Sequence, residues 1–304
     1  MADLSACSGK ETKTMKTAKL KTIVAVISLA SVTLLASSLF TSAADQKPNP
    51  EIEELRAGKN FIPTKLYSAE EDQKILKLFE GLRVADVTDG MDKAGLPNIG
   101  LMSPEIHPAW KDTVHYTHRF IGIALTARYV PTNKPPAPNL ETKAFDSWVS
   151  NWYNKLSGEP FVPLIRKGTA LVLDDAPDAD VGSIGSNNIM AWKSAGCVGV
   201  VTNATTRDTD EIITEKVPLY FRKVGRGIRP GRNEIESVNR PVVCGGVLVE
   251  SGDIIAADGD GVVVVPRARA EEVAEYAKKT IEADKQGRRD LYKKLGLPSD
   301  DSVK

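Results

Sequence analysis

The stretch Val242-Val243-Cys244-Gly245-Gly246-Val247-Leu248-Val249, followed by Asp253-Ile254-Ile255-Ala256 and Gly261-Val262-Val263-Val264-Val265, decides the fold class. These short runs are rich in β-branched residues and are separated by Gly and Asp turn signals, so they read as successive strands. A long charged helix from Ala268 to about Lys294 closes them. Several strands in a row before one helix break the strict alternation of a doubly wound sheet or an eight-fold barrel. The expected class is therefore α/β, a layered α/β sandwich with a mixed sheet. Asp258-Gly259-Asp260-Gly261 reads as a tight turn between strands rather than a calcium loop, because Arg267 stands where the bidentate Glu would be.

Upstream, Ser68-Ala69-Glu70-Glu71 is a capping box, and Ile75, Leu76, Phe79 and Leu82 recur behind it at helical spacing. A second helix is expected over Val84 to Lys93, with Gly95 as its stop. Phe120 to Val130, Thr169 to Leu173, Val198 to Val201 and Val217 to Val224 read as strands, and Asn187 to Ala195 as a short helix. Between them lies a Pro-rich run, 131–138, and then Phe145, Trp148, Trp152 and Tyr153 at a helical period. Asp45 to Tyr67 is punctuated by Pro and reads as a linker, so one folded domain is expected over 68–304.

The whole chain of 304 residues balances 40 Lys+Arg against 40 Asp+Glu with 41% hydrophobic residues, which excludes a disordered composition. It carries no basic tract of the kind that nucleic acid requires, so no nucleic-acid partner is expected. The balance is uneven along the chain. Residues 1–44 hold five Lys, one Asp and one Glu, then the weakly polar 18-residue run Ile23 to Phe40, then Thr41-Ser42-Ala43-Ala44. That is a signal peptide or an N-terminal anchor, its small-residue exit favouring cleavage, and Met15 opens a more typical leader than Met1. An exported, periplasmic or secreted protein is expected, at a membrane only if the leader stays. Without 1–44 the chain keeps 260 residues, 35 basic and 38 acidic groups, net −3. Cys197 and Cys244 then remain, as one disulfide or two buried thiols, and no CxxC motif is present.

The chemistry-bearing segment is Gly182-Ser183-Ile184-Gly185-Ser186-Asn187-Asn188, a short helix, a strand, then Thr205-Thr206-Arg207-Asp208. A Gly-rich turn into a helix exposes unpaired backbone N–H groups, which suit a carboxylate or phosphate. Arg207 and Asp208 stand just past a strand end, where α/β folds keep their ligands. A guanidinium there can clamp an anion while the neighbouring carboxylate holds a hard divalent cation; a surface ion pair beside a helix cap is the plainer alternative. His107, His115 and His118 lack a convincing ligand pattern, Gly182 to Gly185 is not a nucleophile elbow, and Gly225-x-Gly227 is a poor dinucleotide fingerprint. Asn203-Ala204-Thr205 is formally a glycosylation sequon inside the same region.

This segment resembles the RraA-like family, which includes class II 4-hydroxy-4-methyl-2-oxoglutarate aldolases and the RraA inhibitors of ribonuclease E. The family signature is Gly-x-x-x-Asp, twenty residues, then Arg-Asp; here Gly182, Ser186 and Arg207-Asp208 stand at those places. Asn239 to Val249 and Gly252 to Pro266 are similar to the family's closing strands, and weaker similarity runs from about Leu76 to Leu295. The resemblance implies a layered α/β/β/α sandwich with a mixed sheet, of the swivelling β/β/α type, and a metal-dependent lyase that cleaves a C–C bond of a 2-oxo acid through a metal-stabilised pyruvate enolate. Oxaloacetate decarboxylation is the implied side activity, and a non-catalytic binding or regulatory protein is the implied alternative.

Carried over by position, Arg207 binds the substrate carboxylate, Asp208 ligates Mg2+ or Mn2+, and the turn of Gly185, Ser186, Asn187 and Asn188 holds the substrate. A homotrimer or hexamer is implied, with an acidic residue from a neighbour's C-terminal helix, for which Glu282 and Asp284 are the candidates. Ser186 departs from the family's acidic residue and carries no charge to hold metal-bound water. The segment 131–160 looks like an insertion whose Trp148, Trp152 and Tyr153 border the substrate mouth.

Overall fold

Ser68 accepts the Glu71 amide at 3.2 Å while Glu71 returns the bond to the Ser68 amide, so the capping box forms and starts α2, Ala69–Phe79. The coordinates are a computed structural model that describes residues 49–135, 137, 139–175 and 180–303; the leader expected at 1–44 lies outside the described residues. Within the expected linker, Pro50–Ala57 forms a short helix, α1, because Asn49 caps it and Pro50 fits its first turn. It belongs to the first of the chain's two units, the second being Phe61–Lys304.

In the second unit α2 is followed by α3 (Val84–Lys93), β1 (His107–Pro108), β2 (Phe120–Pro131) and α4 (Thr142–Lys155). Then come β3 (Thr169–Asp174), α5 (Ser186–Ser194), β4 (Cys197–Thr202), β5 (Thr205–Thr206) and α6 (Thr209–Glu215). β6 (Leu219–Phe221), β7 (Lys223–Val224), β8 (Asn233–Val238), β9 (Val242–Cys244) and β10 (Val247–Val249) follow, then β11 (Ile254–Asp258), β12 (Gly261–Val265) and α7 (Ala270–Leu295). The main sheet runs β1-β6-β4-β3-β2-β11-β12, with β8 pairing the second half of β2. β2, β3, β4 and β6 are parallel while β1, β8, β11 and β12 join antiparallel, so the sheet is mixed, as expected.

Alternation along β2 explains the layers. Ile121 and Ile123 pack with Phe79, Val87 and Ala277 of α2, α3 and α7. Further along the same face, Leu125, Ala127 and Tyr129 pack with Ile189 and Trp192 of α5 and Ile212 of α6. The opposite face, through Phe120 and Ala124, meets Val242, Cys244 and Val249 of the β9–β10 hairpin. Two groups of helices therefore flank a sheet whose other face is covered by strands.

Three readings change. Val242 to Val249, expected as one strand, is a hairpin, because Gly245 and Gly246 take φ of 56° and 81° and turn the chain back. Val217 to Val224 splits, since β6 joins the main sheet and β7 pairs with β5. β8 is an added strand that its charged sequence concealed; it pairs with β2 alone. Cys197 and Cys244 are free buried thiols in cores on opposite faces of the sheet, so no disulfide joins them.

Candidate functional site

Arg207 and Asp208 reach their place because the Gly-rich turn is laced to the strand before them. Ile184 forms a parallel bridge with Thr206, and its carbonyl accepts from Thr206 Oγ1 at 3.0 Å and from the Arg207 amide at 2.9 Å. Both glycines of the turn are needed at this close approach. A Cβ on Gly182 would stand 2.6 to 2.8 Å from the Cβ, Cγ and Cδ of Arg207. A Cβ on Gly185 would stand 2.7 Å from Asp208 Oδ2.

Asp208 sits in the left-handed region, φ 56° and ψ 38°, immediately before α6. Its Oδ2 accepts the Ser186 amide at 3.1 Å and thereby caps α5, whose own N-cap, Gly185, offers no side chain. The first backbone bond of α5 runs from the Ile189 amide to the Gly185 carbonyl, so the Asn187 and Asn188 amides are first-turn donors without intrahelical partners. Arg207 Nε lies 3.8 Å from Asp208 Oδ1, and each side chain is 37% exposed. An ion pair so open to water contributes only about 0–1 kcal/mol to stability. The arrangement thus offers an anion two amides and a guanidinium beside a half-open carboxylate.

Oxygens surround the turn: the Asp208 carboxylate, the Ser186 hydroxyl and the Asn188 side-chain amide. Such a set fits a hard divalent cation that keeps part of its water shell, and lacks the nitrogen and sulfur donors that zinc prefers. Among the described residues no group of three or more His, Cys, Asp and Glu collects to hold a metal, at this turn or elsewhere, so Asp208 would hold a cation with neutral oxygens beside it. His107 packs its ring 5.0 Å from Phe221, and His118 is buried, accepting the Asp112 amide at 3.1 Å. Burial and the nearby Arg119 keep His118 below the usual imidazole pKa. Asp284 pairs with Arg83 of its own chain at 2.8 Å. The sequon Asn203 is also engaged, donating to Asp174 Oδ1 at 3.0 Å and the Val243 carbonyl at 3.1 Å.

The 131–160 segment contributes differently from the expected aromatic border. Trp152 is 5% exposed and donates to the Asn233 carbonyl at 3.0 Å, so it is core; Trp148 stacks obliquely on it at 5.4 Å. The residue that reaches the site is Glu159, which the sequence reading missed. Its Oε1 accepts from Asn188 Nδ2 at 2.6 Å and its Oε2 from Trp192 Nε1 at 2.9 Å. It also pairs with the buried Arg229, whose guanidinium lies over the Tyr129 and Tyr153 rings at 5.3 and 5.4 Å. A lone acid between Gly158 and Pro160, next to buried aromatic residues, was the available sequence signal. A cavity of about 700 Å3 lies away from this site, at the starts of β2, β3 and β4, lined by Leu76, Phe120, Lys167 and Ala257 among others, and includes neither Arg207 nor Asp208.

The curled mixed sheet with flanking helices, and a Gly-rich turn clasping an Arg-Asp pair, define an RraA-like α/β protein. The chain belongs to the RraA-like family: the family model described as Aldolase/RraA matches residues 84–264. Over 122 residues it is 32% identical to a Halalkalibacterium halodurans protein named for 4-hydroxy-4-methyl-2-oxoglutarate aldolase, covering 40% of this chain and 57% of that one. Over 220 residues it is 27% identical to protein DlpA of Legionella pneumophila, covering 71% of this chain and 32% of that one. The chain thus spans little more than half of the first relative and about a third of the second. Among solved structures, RraAS2 of Streptomyces coelicolor, an unusual member of the RNase ES inhibitor RraA family, aligns with TM-score 0.56 at 20% identity, covering 74% of this chain and 99% of that one. An uncharacterized protein of Pseudomonas syringae pv. tomato aligns with TM-score 0.58 at 23% identity, covering 79% and 96%. These two establish likeness of fold.

Proposed function

We propose that the protein is a divalent-metal-dependent lyase that cleaves a C–C bond of a 2-oxo acid carrying a second carboxylate, of the 4-hydroxy-4-methyl-2-oxoglutarate or oxaloacetate type. The observation that carries this reading is the clasp itself: a half-open Arg207-Asp208 pair held by two glycines against the bare start of α5. Relatives named for the aldolase activity support it.

In this reading Arg207 binds the substrate carboxylate bidentately, and the Asn187 and Asn188 amides orient it along the α5 axis. The stem of Arg207, packed on Gly182, fixes where the guanidinium can reach. Asp208, with Oδ2 committed to the Ser186 amide, offers its other oxygen to Mg2+ or Mn2+. When bound, that cation supplies Lewis-acid stabilisation of negative charge on the 2-oxo oxygen, worth several kcal/mol. A homotrimer or hexamer and an exported location complete the proposal, the first checked by sizing chromatography and the second by fractionation of cells.

Pyruvate release from oxaloacetate or 4-hydroxy-4-methyl-2-oxoglutarate with Mg2+ tests the reading, with Arg207→Ala as the control. No release above buffer, or release unchanged in the variant, sinks it. Ser186, which brings no charge where the family resemblance implies an acid, favours a second reading, a non-catalytic binding protein. A stoichiometric protein partner together with no Mn2+ binding in calorimetry is the outcome that selects it.

A further inference from the structure

Asn188 is fixed in one orientation by chemistry alone. Glu159 Oε1 is an acceptor, so the atom 2.6 Å from it must be the Asn188 amide nitrogen, and the Asn188 oxygen must point the other way. That other way is into the clasp. The place a Cβ of Gly185 would take lies 3.5 Å from Asn188 Oδ1, 2.7 Å from Asp208 Oδ2 and 3.6 Å from Arg207 Nε. Asn188 Oδ1 accepts no hydrogen bond from the described residues. Asn188 is half-buried, so its oxygen is open to water, and a hydrated amide oxygen beside a half-open carboxylate is what a hard cation takes as a neutral ligand.

Glu159 does more than orient. Donating an N–H to a carboxylate polarises the amide and increases the negative charge on its oxygen, as outer-shell carboxylates do for metal-bound histidines. Glu159 is itself held by Trp192 Nε1 at 2.9 Å and by the buried Arg229, which Tyr129 Oη meets at 2.7 Å. A carboxylate fixed from three sides keeps the Asn188 amide from rotating.

We propose that Asn188 Oδ1 is a ligand of the divalent cation at Asp208, and that Glu159 is the positioning residue that holds it there. The pair supplies at the first turn of α5 the oxygen that Ser186, a hydroxyl in place of a carboxylate, supplies only weakly. This rests on the metal-dependent reading above, and the test separates the two.

Mn2+ binding to the full chain is measured by calorimetry and by the loss of the free-Mn2+ electron paramagnetic resonance signal, without substrate. The wild type is expected to bind, Asp208→Asn to lose binding, and Asn188→Ala and Asn188→Leu each to bind about tenfold more weakly with unchanged circular dichroism. Glu159→Gln is expected to weaken binding in the wild type but to add nothing in Asn188→Ala, because its effect passes through that one oxygen. If both Asn188 variants bind Mn2+ like the wild type while Asp208→Asn does not, this proposal falls and the metal-dependent reading stands. If the wild type binds no Mn2+, both fall.

Discussion

At the start of α2, Ser68 and Glu71 cap the helix reciprocally within three residues of chain; at the start of α5, Gly185 has no cap to give and the carboxylate arrives from Asp208, 22 residues beyond the amide it accepts. The local cap closes on itself. The remote one leaves Asp208 Oδ1, the Arg207 guanidinium and two first-turn amides facing a half-open space. Both devices satisfy orphan donors, but only the second brings chemistry from another part of the chain to a helix N-terminus. A helix start capped by its own neighbours is a matter of stability, whereas one capped from a distance also defines a place.

Removing the guanidinium breaks the remote arrangement most severely. If the proposed lyase reading holds, Arg207→Ala is expected to lower kcat/KM for the proposed 2-oxo acid substrate by about 10³-fold, the loss typical of deleting one preorganised charge-stabilising group. Because the Arg207–Asp208 pair is exposed, the melting curve of the variant should stay close to the wild type. A pyruvate-release assay run beside thermal unfolding separates the two effects, and a variant that unfolds early without a catalytic loss contradicts the assignment.

A single methyl group tests the clasp more finely. Gly185→Ala puts a Cβ where Asp208 Oδ2 stands 2.7 Å away, while the backbone there, φ −126° and ψ 171°, accepts any residue. The carboxylate must shift, and a misplacement of the order of 1 Å costs about 10²-fold in rate. Steady-state kinetics at saturating Mg2+ is the measurement; wild-type kcat in this variant contradicts the placement of Asp208 in the reaction. Gly182→Ala acts in the same sense through the Arg207 stem.

What was legible in the sequence follows the same division between local and remote. The capping box, α3 and the Asp258–Gly261 turn follow from neighbours in the chain, and the structure forms them where the residues say. The β9–β10 hairpin was concealed because Gly245-Gly246 reads equally as a gap inside an apolar strand, and only the positive φ at both positions reveals the turn. β8 escaped because Asn233-Glu234-Ile235-Glu236-Ser237-Val238 is too polar for a core strand, and it needs only β2 as a partner. The Arg207-Asp208 pair was legible through spacing and resemblance, yet its grip on α5 was not, since a cap supplied from 22 residues away has no local signature. Glu159 lay hidden for the same reason, its partners being Asn188, Trp192 and Arg229.

The smallest expected effect sharpens the comparison from the other side. Ser68→Ala removes the hydroxyl that accepts the Glu71 amide, and an N-cap loss of this kind destabilises by about 1 kcal/mol. For a unit of this length that lowers Tm by about 2–4 °C. α2 packs through Ile75 and Phe79 on α3, α7 and the β11–β12 side of the sheet, whereas the Arg207-Asp208 clasp is built from α5, β5 and the start of α6. The Ser68–Glu71 cap itself touches no residue of the clasp, so kcat and KM should match the wild type at temperatures well below the transition. Thermal unfolding and the pyruvate-release assay on one preparation decide it: a variant with unchanged Tm contradicts the cap as a source of stability. A variant with altered KM would mean that α2 and α5, despite their separate cores, share a mechanical connection, and the contrast between a cap that stabilises and a cap that makes a site would then collapse.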